Sequence, residues 1–292
     1  MHIESCACTA VGRRDSNEDA LLHLPCIAEG VGLFAVADGM GGYEGGEVAS
    51  HLVVSTMEDA FRRYLTDTQV YELLQPGPPG PPLLPGQPMQ PAQPMQPAQP
   101  MQPMQPMQPG QPVEPKAQKE RLLATAIRLA HIAVAARRSG RLANMGSTVA
   151  ALVVAEHEAI LAHVGDSRVY RLRDGRLTQL TRDHSLFEEV RAAGGAQQMA
   201  SKRDCPFANV ITRALGLSDR AEPDVETVPV RSGDIFLLCS DGLSDPLPDD
   251  ELAQLLAASR SEGLVGATRR LVQAAYDAGG KDNITAVTVK IS

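Results

Sequence analysis

The sequence is poor in aromatic residues: it has no tryptophan, and Phe, Trp and Tyr make up 3% of its 292 residues. Stacking platforms for single-stranded nucleic acid need such side chains. An excess of basic charge is missing as well, because 27 Lys and Arg residues stand against 35 Asp and Glu residues, for a net charge of −8. Nucleic-acid binders neutralise phosphates with a basic face. The composition therefore argues against a general nucleic-acid binder, although it is compatible with a small local anion site.

Long apolar runs are also absent. The longest, Val149 to Ala155, is far shorter than the ~18 residues that span a bilayer, and the N-terminal residues lack the pattern of a signal peptide. The five cysteines are odd in number and scattered, at Cys6, Cys8, Cys26, Cys205 and Cys239. A disulfide framework is therefore not expected, and a reducing cytoplasm is the predicted compartment. The shortness of the apolar runs predicts that the protein has no membrane partner.

Proline, in contrast, is concentrated in one segment. Residues 76–115 hold 16 of the 22 prolines, largely in repeats of QPM or QPA. Proline lacks the N–H that helices and sheets require, so the segment should be extended or disordered. Helical periodicity over 45–64 and 116–138 favours an insertion between two helices of a single domain, 1–292. Docking of a proline-recognising partner is the alternative role for this Pro/Gln/Met-rich tract.

The remainder of the chain is dominated by strand patterns. An Asp174-Gly175 pair between two such patterns predicts a hairpin, and two late helices are predicted at 249–258 and 262–278. The predicted strands are 3–10, 20–24, 31–37, 147–155, 158–164, 168–173, 176–180, 224–231, 234–240 and 284–291. Many strands with helices in separate pairs predict an α+β layered sandwich rather than a doubly wound sheet.

Five aspartates fall at the ends of predicted strands: Asp19, Asp38, Asp166, Asp241 and Asp282. Each one alone is typical of an ordinary turn. If they converge, however, their charges repel unless cations lie between them. Carboxylate oxygens together with waters are the ligands that Mg²⁺ and Mn²⁺ prefer. A divalent-metal site is therefore one hypothesis, although sequence spacing alone does not establish that these residues meet.

Two further features lie close to the first of these aspartates. Gly39 opens a glycine-rich turn, GMGG, which could bring a backbone carbonyl near a metal or simply reverse the chain. This turn lacks the Lys-Ser/Thr pair of a P-loop, so a nucleotide cradle is rejected. Arg14 could bind a phosphate with both arms of its guanidinium. Alternatively, it forms a surface ion pair with Asp15 or Glu18.

Six motif regions occur in an order that resembles the protein phosphatase 2C family, also called PPM, of metal-dependent Ser/Thr phosphoprotein phosphatases. They read RRDSNEDA, VADGMGG, GDSRVYRL…LTQLTRDHS, ITRALG, LLCSDGLSD and KDNITAVTV. The resemblance runs from about Cys6 to Ile291, and the DGMGG form is similar to the bacterial branch. It implies a four-layer αββα sandwich of two antiparallel sheets flanked by helix pairs, with a site for two or three Mn²⁺ or Mg²⁺ ions at one end.

The resemblance also implies a set of metal ligands. Asp38 would bridge two ions, Glu18 and Asp19 would act mainly through waters, and Asp166 with Asp241 would hold a third ion. The implied set is Glu18, Asp19, Asp38, Gly39, Asp166, Asp241 and Asp282.

The same family pattern implies a reaction. A hydroxide shared by two cations would attack the phosphate monoester directly, with Arg14, Asp38 and Asp241 as the catalytic residues and Arg14 binding the phosphate. Asn283 would orient the last metal aspartate. Met40 stands where many eukaryotic relatives have a histidine that is thought to protonate the leaving alcohol, so a metal-bound water is expected to serve instead.

The expected partners are phosphorylated proteins and the Ser/Thr kinases that produce them. A catalytically weak phosphatase-like signalling module is the alternative. Residues 185–208 fall where the family carries a variable flap over the active site, and the alternative for this segment is a short helix followed by a loop. Neither His163 nor His184 matches a catalytic position, so we expect His163 to be packed on a strand and His184 to anchor the chain before the flap.

Overall fold

The computed structural model describes residues 1–28, 30–42, 44–66, 115–155, 157–193, 207, 210–218 and 222–292. The proline tract, apart from Pro115, lies outside the described residues, as do Cys205 and most of the predicted flap. Within the described part of the chain, no helix is both long enough and apolar enough to cross a membrane.

The strands follow the sequence prediction closely. They are β1 (Ile3–Ala10), β2 (Asp19–Ala28), β3 (Val31–Met40), β4 (Gly146–Ser147), β5 (Val149–Ala155), β6 (Glu158–Val164), β7 (Arg168–Arg173), β8 (Arg176–Gln179), β9 (Asp224–Pro229), β10 (Ile235–Cys239) and β11 (Ile284–Ile291). The predicted hairpin joins β7 and β8, and Asp174 in its turn has a positive φ of 51°.

The described strands form two antiparallel sheets. The first has the order β1-β11-β10-β7-β8, and the second has the order β2-β3-β5-β6-β9, with β4 paired to β3. Every neighbouring pair is antiparallel.

The helices lie in separate groups, as the sequence pattern predicts. They are α1 (Gly45–Thr66), α2 (Pro115–Arg137), α3 (Leu186–Ala192), α4 (Asp241–Ser244), α5 (Asp249–Ala257) and α6 (Ser259–Asp277). A 3₁₀ turn at Gly140–Leu142 and the short α4 were not predicted. The predicted helix 262–278 begins earlier in the structure, and a non-helical Gly263 with φ 78° interrupts it.

Alternation along the strands produces the layers. In β3, Leu33 and Ala35 face the cluster that also contains Val53 and Met57 of α1, whereas Phe34 and Val36 face the cluster between the sheets. On the other sheet, inward and outward residues of β10 and β11 alternate in the same way, and the outer cluster includes residues of α5 and α6. The order helix pair, sheet, sheet, helix pair confirms the four-layer αββα sandwich.

Candidate metal centre

Antiparallel register brings the predicted aspartates to one end of the sandwich. Asp19 is the first residue of β2 and pairs directly with Asp38 near the end of β3. On the facing sheet, Asp241 follows the end of β10 and Asp282 precedes the start of β11, and these two strands are neighbours. Asp166 lies in the turn between β6 and β7, whose first residue, Arg168, pairs with Cys239 of β10.

Burial and mutual repulsion act on the same carboxylates. Burial raises the pKa of Asp38 well above its ordinary value, and the charges of Asp241, Asp19, Asp166 and Asp282 raise it further. Burial likewise raises the pKa of Asp241 to about 8, with Asp166 as the largest charged contributor. Such coupling requires the carboxylates to lie close together. The convergence that spacing could not establish is therefore present in the fold.

Asp19 is held by hydroxyl groups from the opposite sheet. Its Oδ2 accepts hydrogen bonds from Ser240 Oγ (2.7 Å) and Thr285 Oγ1 (2.6 Å). Its Oδ1 is buried and has no hydrogen-bond partner among the described residues. Burial raises the pKa of Asp19 to about 6, although the two hydroxyl hydrogen bonds lower it.

The backbone of Asp38 is fixed by two hydrogen bonds with Thr148. Its N–H donates to Thr148 Oγ1 (3.0 Å), and the Thr148 N–H donates to the Asp38 carbonyl (2.9 Å). Thr148 Oγ1 also lies 2.7 Å from Ser167 Oγ, next to Asp166. Asp38 is thus linked through one buried hydroxyl pair to the turn that carries Asp166.

Asn283 ties together the loops around the site. Its N–H donates to Asp282 Oδ1 (2.9 Å), and its Oδ1 accepts from the Glu18 N–H (2.8 Å). Its side-chain amide donates to the carbonyls of Val11 and Ser16. The residue that the resemblance places beside the last aspartate therefore also fixes the loop between β1 and β2.

Arg14 forms an ion pair with Asp282, whereas the sequence suggested Asp15 or Glu18 as its partner. Its Nη2 lies 2.7 Å from Asp282 Oδ2, and its Nε donates to the Lys281 carbonyl (3.1 Å), so its ion pair is with neither Asp15 nor Glu18. The Arg14 side chain stays 57% exposed. Burial raises the pKa of Glu18, and the Arg14 charge partly offsets that rise.

An open cleft of about 810 Å³ gives access to this cluster. Its walls include Arg14, Asp38, Met40, Ile211 and Asp282. Gly39 also lines the cleft, where a Cβ would lie 2.0 Å from the Gly46 carbonyl oxygen. Only glycine therefore lets the end of β3 pass this close to the start of α1.

The donor set fits hard divalent cations. Asp19 Oδ1 and Asp241 Oδ1 are buried oxygen atoms without hydrogen-bond partners in the described part of the chain. Several carboxylates at one place are stable only when protonated or when cations lie among them. Oxygen-only ligands of this kind suit Mg²⁺ and Mn²⁺.

A second cluster does not offer the same fit. His163, His184 and Asp224 have potential ligand atoms within 4.8 Å of one another. His184 Nδ1, however, accepts a hydrogen bond from the Gly165 N–H (3.1 Å), so the proton of its neutral ring lies on Nε2 and blocks that nitrogen as a ligand. His163 is buried on β6, and backbone hydrogen bonds join His184 to Gly165 and Thr212. The structure thus places both histidines in the packing and anchoring positions expected of them.

The hydroxyl groups that hold the carboxylates were not predicted from sequence. Ser240 and Thr285 lie 221 and 266 residues from Asp19 along the chain. The sequence signal available was their placement one residue before Asp241 and three residues after Asp282. This placement indicates that Ser240 and Thr285 lie near the site, but it does not indicate that they bind Asp19.

Comparison with known proteins places this arrangement in a family context. The model of the family described as Protein phosphatase 2C matches residues 10–273. The Serine/threonine protein phosphatase PstP of Mycobacterium tuberculosis is 31% identical over 280 residues, which is 95% of this chain and 43% of that protein. This chain thus spans less than half the length of that relative. The Serine/threonine phosphatase stp of Listeria monocytogenes is 31% identical over 261 residues, covering 87% of this chain and 82% of that protein.

Solved structures show the same likeness. A crystal structure of the Mycobacterium tuberculosis phosphatase PstP/Ppp superposes with a TM-score of 0.74 at 28% identity, and all of both chains is covered. The catalytic domain of PstP, in complex with two manganese ions, superposes with a TM-score of 0.70 at 29% identity, covering 99% of each chain. Stp1 from Staphylococcus aureus gives a TM-score of 0.75 at 25% identity, covering 100% of this chain and 96% of the other.

Proposed function

Because this chain belongs to the protein phosphatase 2C family, we propose that it is a Mn²⁺- or Mg²⁺-dependent phosphatase that hydrolyses phosphoserine and phosphothreonine in proteins. The observation that carries the proposal is the convergence of five aspartates at one end of the sandwich. Two of them present buried oxygen atoms without hydrogen-bond partners among the described residues. Binding of two ions by PstP, a relative with the same fold, supports the cofactor assignment.

In the proposed site, one set of residues would bind the cations and Arg14 would bind the phosphate. Asp38, Asp241 and Asp282 would hold the ions, together with Glu18, Asp19 and the Gly39 carbonyl, and Asp166 with Asp241 would hold a third. When bound, the cations supply an activated water and positive charge beside the phosphorus.

Arg14 has a different task in the proposed reaction. Its half-exposed side chain lies on the cleft wall, where Asp282 and the Lys281 carbonyl fix the guanidinium. A planar guanidinium binds phosphate oxygens bidentately, which orients the ester and offsets its charge. Asn283 would hold Asp282 and the loop before Glu18 in fixed positions through its four hydrogen bonds.

The central test is hydrolysis of a phosphothreonine peptide with Mn²⁺. We expect Asp38→Asn and Asp241→Asn to lose ~100-fold or more of kcat/KM, because each change removes the charge of a proposed metal ligand. Each tenfold loss corresponds to ~1.4 kcal/mol of transition-state stabilisation. Asp174→Asn, in the β7–β8 turn, makes the same charge change away from the cluster and should keep full activity. Full activity in EDTA, or in the Asp38→Asn and Asp241→Asn variants, would contradict the proposal. Undetectable turnover by the wild-type protein would favour the non-catalytic signalling module.

We propose further that residues 1–292 form one phosphatase domain in which the tract at 76–115 is an insertion. The helices on its two sides, α1 and α2, contribute to the same buried cluster against the second sheet. Replacing residues 76–114 with a short Gly/Ser linker should therefore leave kcat/KM for the peptide within about twofold of wild type, because surface-loop length costs little stability. A large loss of peptide hydrolysis would instead show that the tract belongs to the catalytic unit.

The proposed setting is the bacterial cytoplasm, with phosphoproteins made by Ser/Thr kinases as substrates. The four described cysteines, Cys6, Cys8, Cys26 and Cys239, are all free thiols, in line with a reducing compartment. Docking of a proline-recognising partner stays the alternative role for the tract. It would be detected as a partner captured by the wild-type chain and lost from the linker variant.

A further inference from the structure

We propose that Thr285 is a positioning residue that, together with Ser240, fixes Asp19 so that one of its carboxylate oxygens faces the metal cluster. The inference rests on the proposed function, since it concerns how this chain prepares one of its metal carboxylates. It assigns roles to two hydroxyl groups that themselves have no place among the metal ligands.

The first step is the asymmetry of the Asp19 carboxylate. Oδ2 accepts two short hydrogen bonds, from Thr285 Oγ1 (2.6 Å) and Ser240 Oγ (2.7 Å), whereas Oδ1 accepts none from the described residues. Asp19 is only 5% exposed, and Thr285 and Ser240 are fully buried. Two donors on one oxygen therefore prevent rotation of the carboxylate and leave the other oxygen free to bind.

The second step is the direction of the hydrogen bonds. The Asn17 side-chain amide donates to Thr9 Oγ1 (2.9 Å), and Thr9 Oγ1 lies 2.8 Å from Thr285 Oγ1. Since the single hydroxyl proton of Thr285 is directed at Asp19, Thr9 must donate to Thr285. The chain of donors thus runs from Asn17 through Thr9 and Thr285 and ends on the Asp19 carboxylate. Aligned hydrogen bonds of this kind strengthen one another.

The third step is the position of the donors in the fold. Asp19 begins β2 of the second sheet, whereas Thr285 lies on β11 and Ser240 follows β10, both in the first sheet. Ser240 is itself oriented, because its Oγ accepts the Thr285 N–H (3.1 Å). The two hydroxyls therefore connect the sheets at the end where the carboxylates meet. They fix the Asp19 carboxylate relative to Asp241, which directly follows Ser240.

Removal of the Thr285 hydroxyl should weaken Mn²⁺ binding more than it lowers kcat at saturating Mn²⁺. Groups that orient metal ligands typically contribute ~10–100-fold to metal affinity. We therefore expect Thr285→Val to raise the Mn²⁺ dissociation constant, measured by calorimetry on the metal-stripped protein, by ~10–100-fold. The Mn²⁺ concentration for half-maximal activity should rise in parallel, with kcat at saturating Mn²⁺ within about threefold of wild type.

Two further variants separate this role from ordinary packing. Thr285→Ser retains the hydroxyl and should restore Mn²⁺ affinity to within about threefold of wild type, since only the methyl group is lost. Thr288→Val is the matched control. Thr288 is equally buried on β11, but its hydroxyl contacts Thr268 and the Cys6 carbonyl rather than a carboxylate. This variant should bind Mn²⁺ like the wild type.

The outcomes distinguish the inference from the function on which it rests. Wild-type Mn²⁺ affinity in Thr285→Val, or an equal loss of affinity in Thr288→Val, would overturn the positioning role. A wild-type protein that neither binds Mn²⁺ nor hydrolyses the peptide would overturn the proposed function itself. If Thr285→Val does not fold, Ser240→Ala decides by the same criteria, because it removes the other donor to Asp19 Oδ2 and little volume.

Discussion

Met40 stands where the family resemblance implies a histidine in many eukaryotic members. It ends β3 and lines the cleft beside Gly39 and Asp38. A thioether has no proton to donate, and the leaving alkoxide of a phosphoserine needs one. Met40 therefore cannot supply that proton, and its delivery by a metal-bound water stays a prediction.

The absence of a side-chain acid at position 40 predicts a steep dependence of rate on the leaving group. Across a series of aryl phosphates, log kcat/KM of the wild type should fall strongly as the pKa of the leaving phenol rises. Met40→His should flatten this slope and accelerate the poorest substrate by ~10-fold, a fraction of the ~10²–10⁴-fold that positioned acids supply. Met40→Leu serves as the control and should keep the wild-type slope. An unchanged slope in Met40→His would show that position 40 does not reach the leaving group.

Residue types in the sequence identified the carboxylates of the site but not the groups that hold them. An aspartate beside a glycine at the end of an apolar run can be recognised from the sequence alone, as Asp38 and Asp241 can. Hydroxyl donors carry no such signal, because serine and threonine are common and their partners are distant. Thr148 contacts Asp38 across 110 positions of sequence, and only the folded sheets reveal that contact.

The strands and helices were predictable to the extent that side-chain burial repeats along them. β10 and β11 alternate between two buried clusters, so their limits match within about a residue. β2 runs on to Ala28 beyond the predicted end at residue 24, although Pro25 follows. Among the described strands it pairs only with β3, and its register shifts between Leu24 and Ala28. Edge position and a bulge are the conditions under which a strand tolerates proline.

Contacts between loops, in contrast, depend on backbone shape that periodicity does not encode. The loop after β1 lies against residues 280–282, where the Arg13 N–H donates to the Gly280 carbonyl (2.7 Å). Gly12 makes this approach possible. Its φ is 68°, and a Cβ there would lie 2.0 Å from the Asp282 carbonyl oxygen.

Gly12→Ala should therefore disturb both stability and the metal site. Gly175→Ala is the matched control, because Gly175 also has a positive φ, 80°, but no atom lies within 4 Å of its added Cβ. In urea unfolding, the control should lose about 1 kcal/mol from left-handed backbone strain, and Gly12→Ala should lose ~2 kcal/mol or more in addition. Only Gly12→Ala should weaken Mn²⁺ binding. Equal losses in the two variants would mean that the loop contact contributes nothing beyond strain.

On the scale of the whole molecule, the site is a consequence of topology. In two stacked antiparallel sheets, the end of one strand and the start of its neighbour lie at the same edge, so turns distant in sequence meet there. The family resemblance predicted this convergence, and the composition and spacing of the residues could not, because no local pattern specifies register between sheets. The result is a buried group of like charges that opposes folding unless protons or cations neutralise it.

The burial of these like charges predicts how the stability of the metal-free protein depends on pH. An unfolded aspartate has a pKa of ~3.9, whereas burial raises the pKa of Asp241 to about 8 and that of Asp38 well above its usual range. Between pH 7 and 8.5 the folded state thus binds protons that the unfolded state has lost, so raising the pH removes stability. The histidines with lowered pKa, including His163 and His184, change charge below this window in both states.

In EDTA, the free energy of unfolding should therefore fall as the pH rises from 7 to 8.5. Saturating Mn²⁺ should reduce the decline, because a cation that replaces the protons on the aspartates stabilises the folded state by mass action. Asp241→Asn removes one of the buried charges and should reduce the slope in EDTA. Urea titrations at four pH values, with and without Mn²⁺, measure all three effects. Stability that rises with pH in EDTA over this interval would mean that the carboxylates are not held together in the metal-free fold, and the cluster would then form only around its ions.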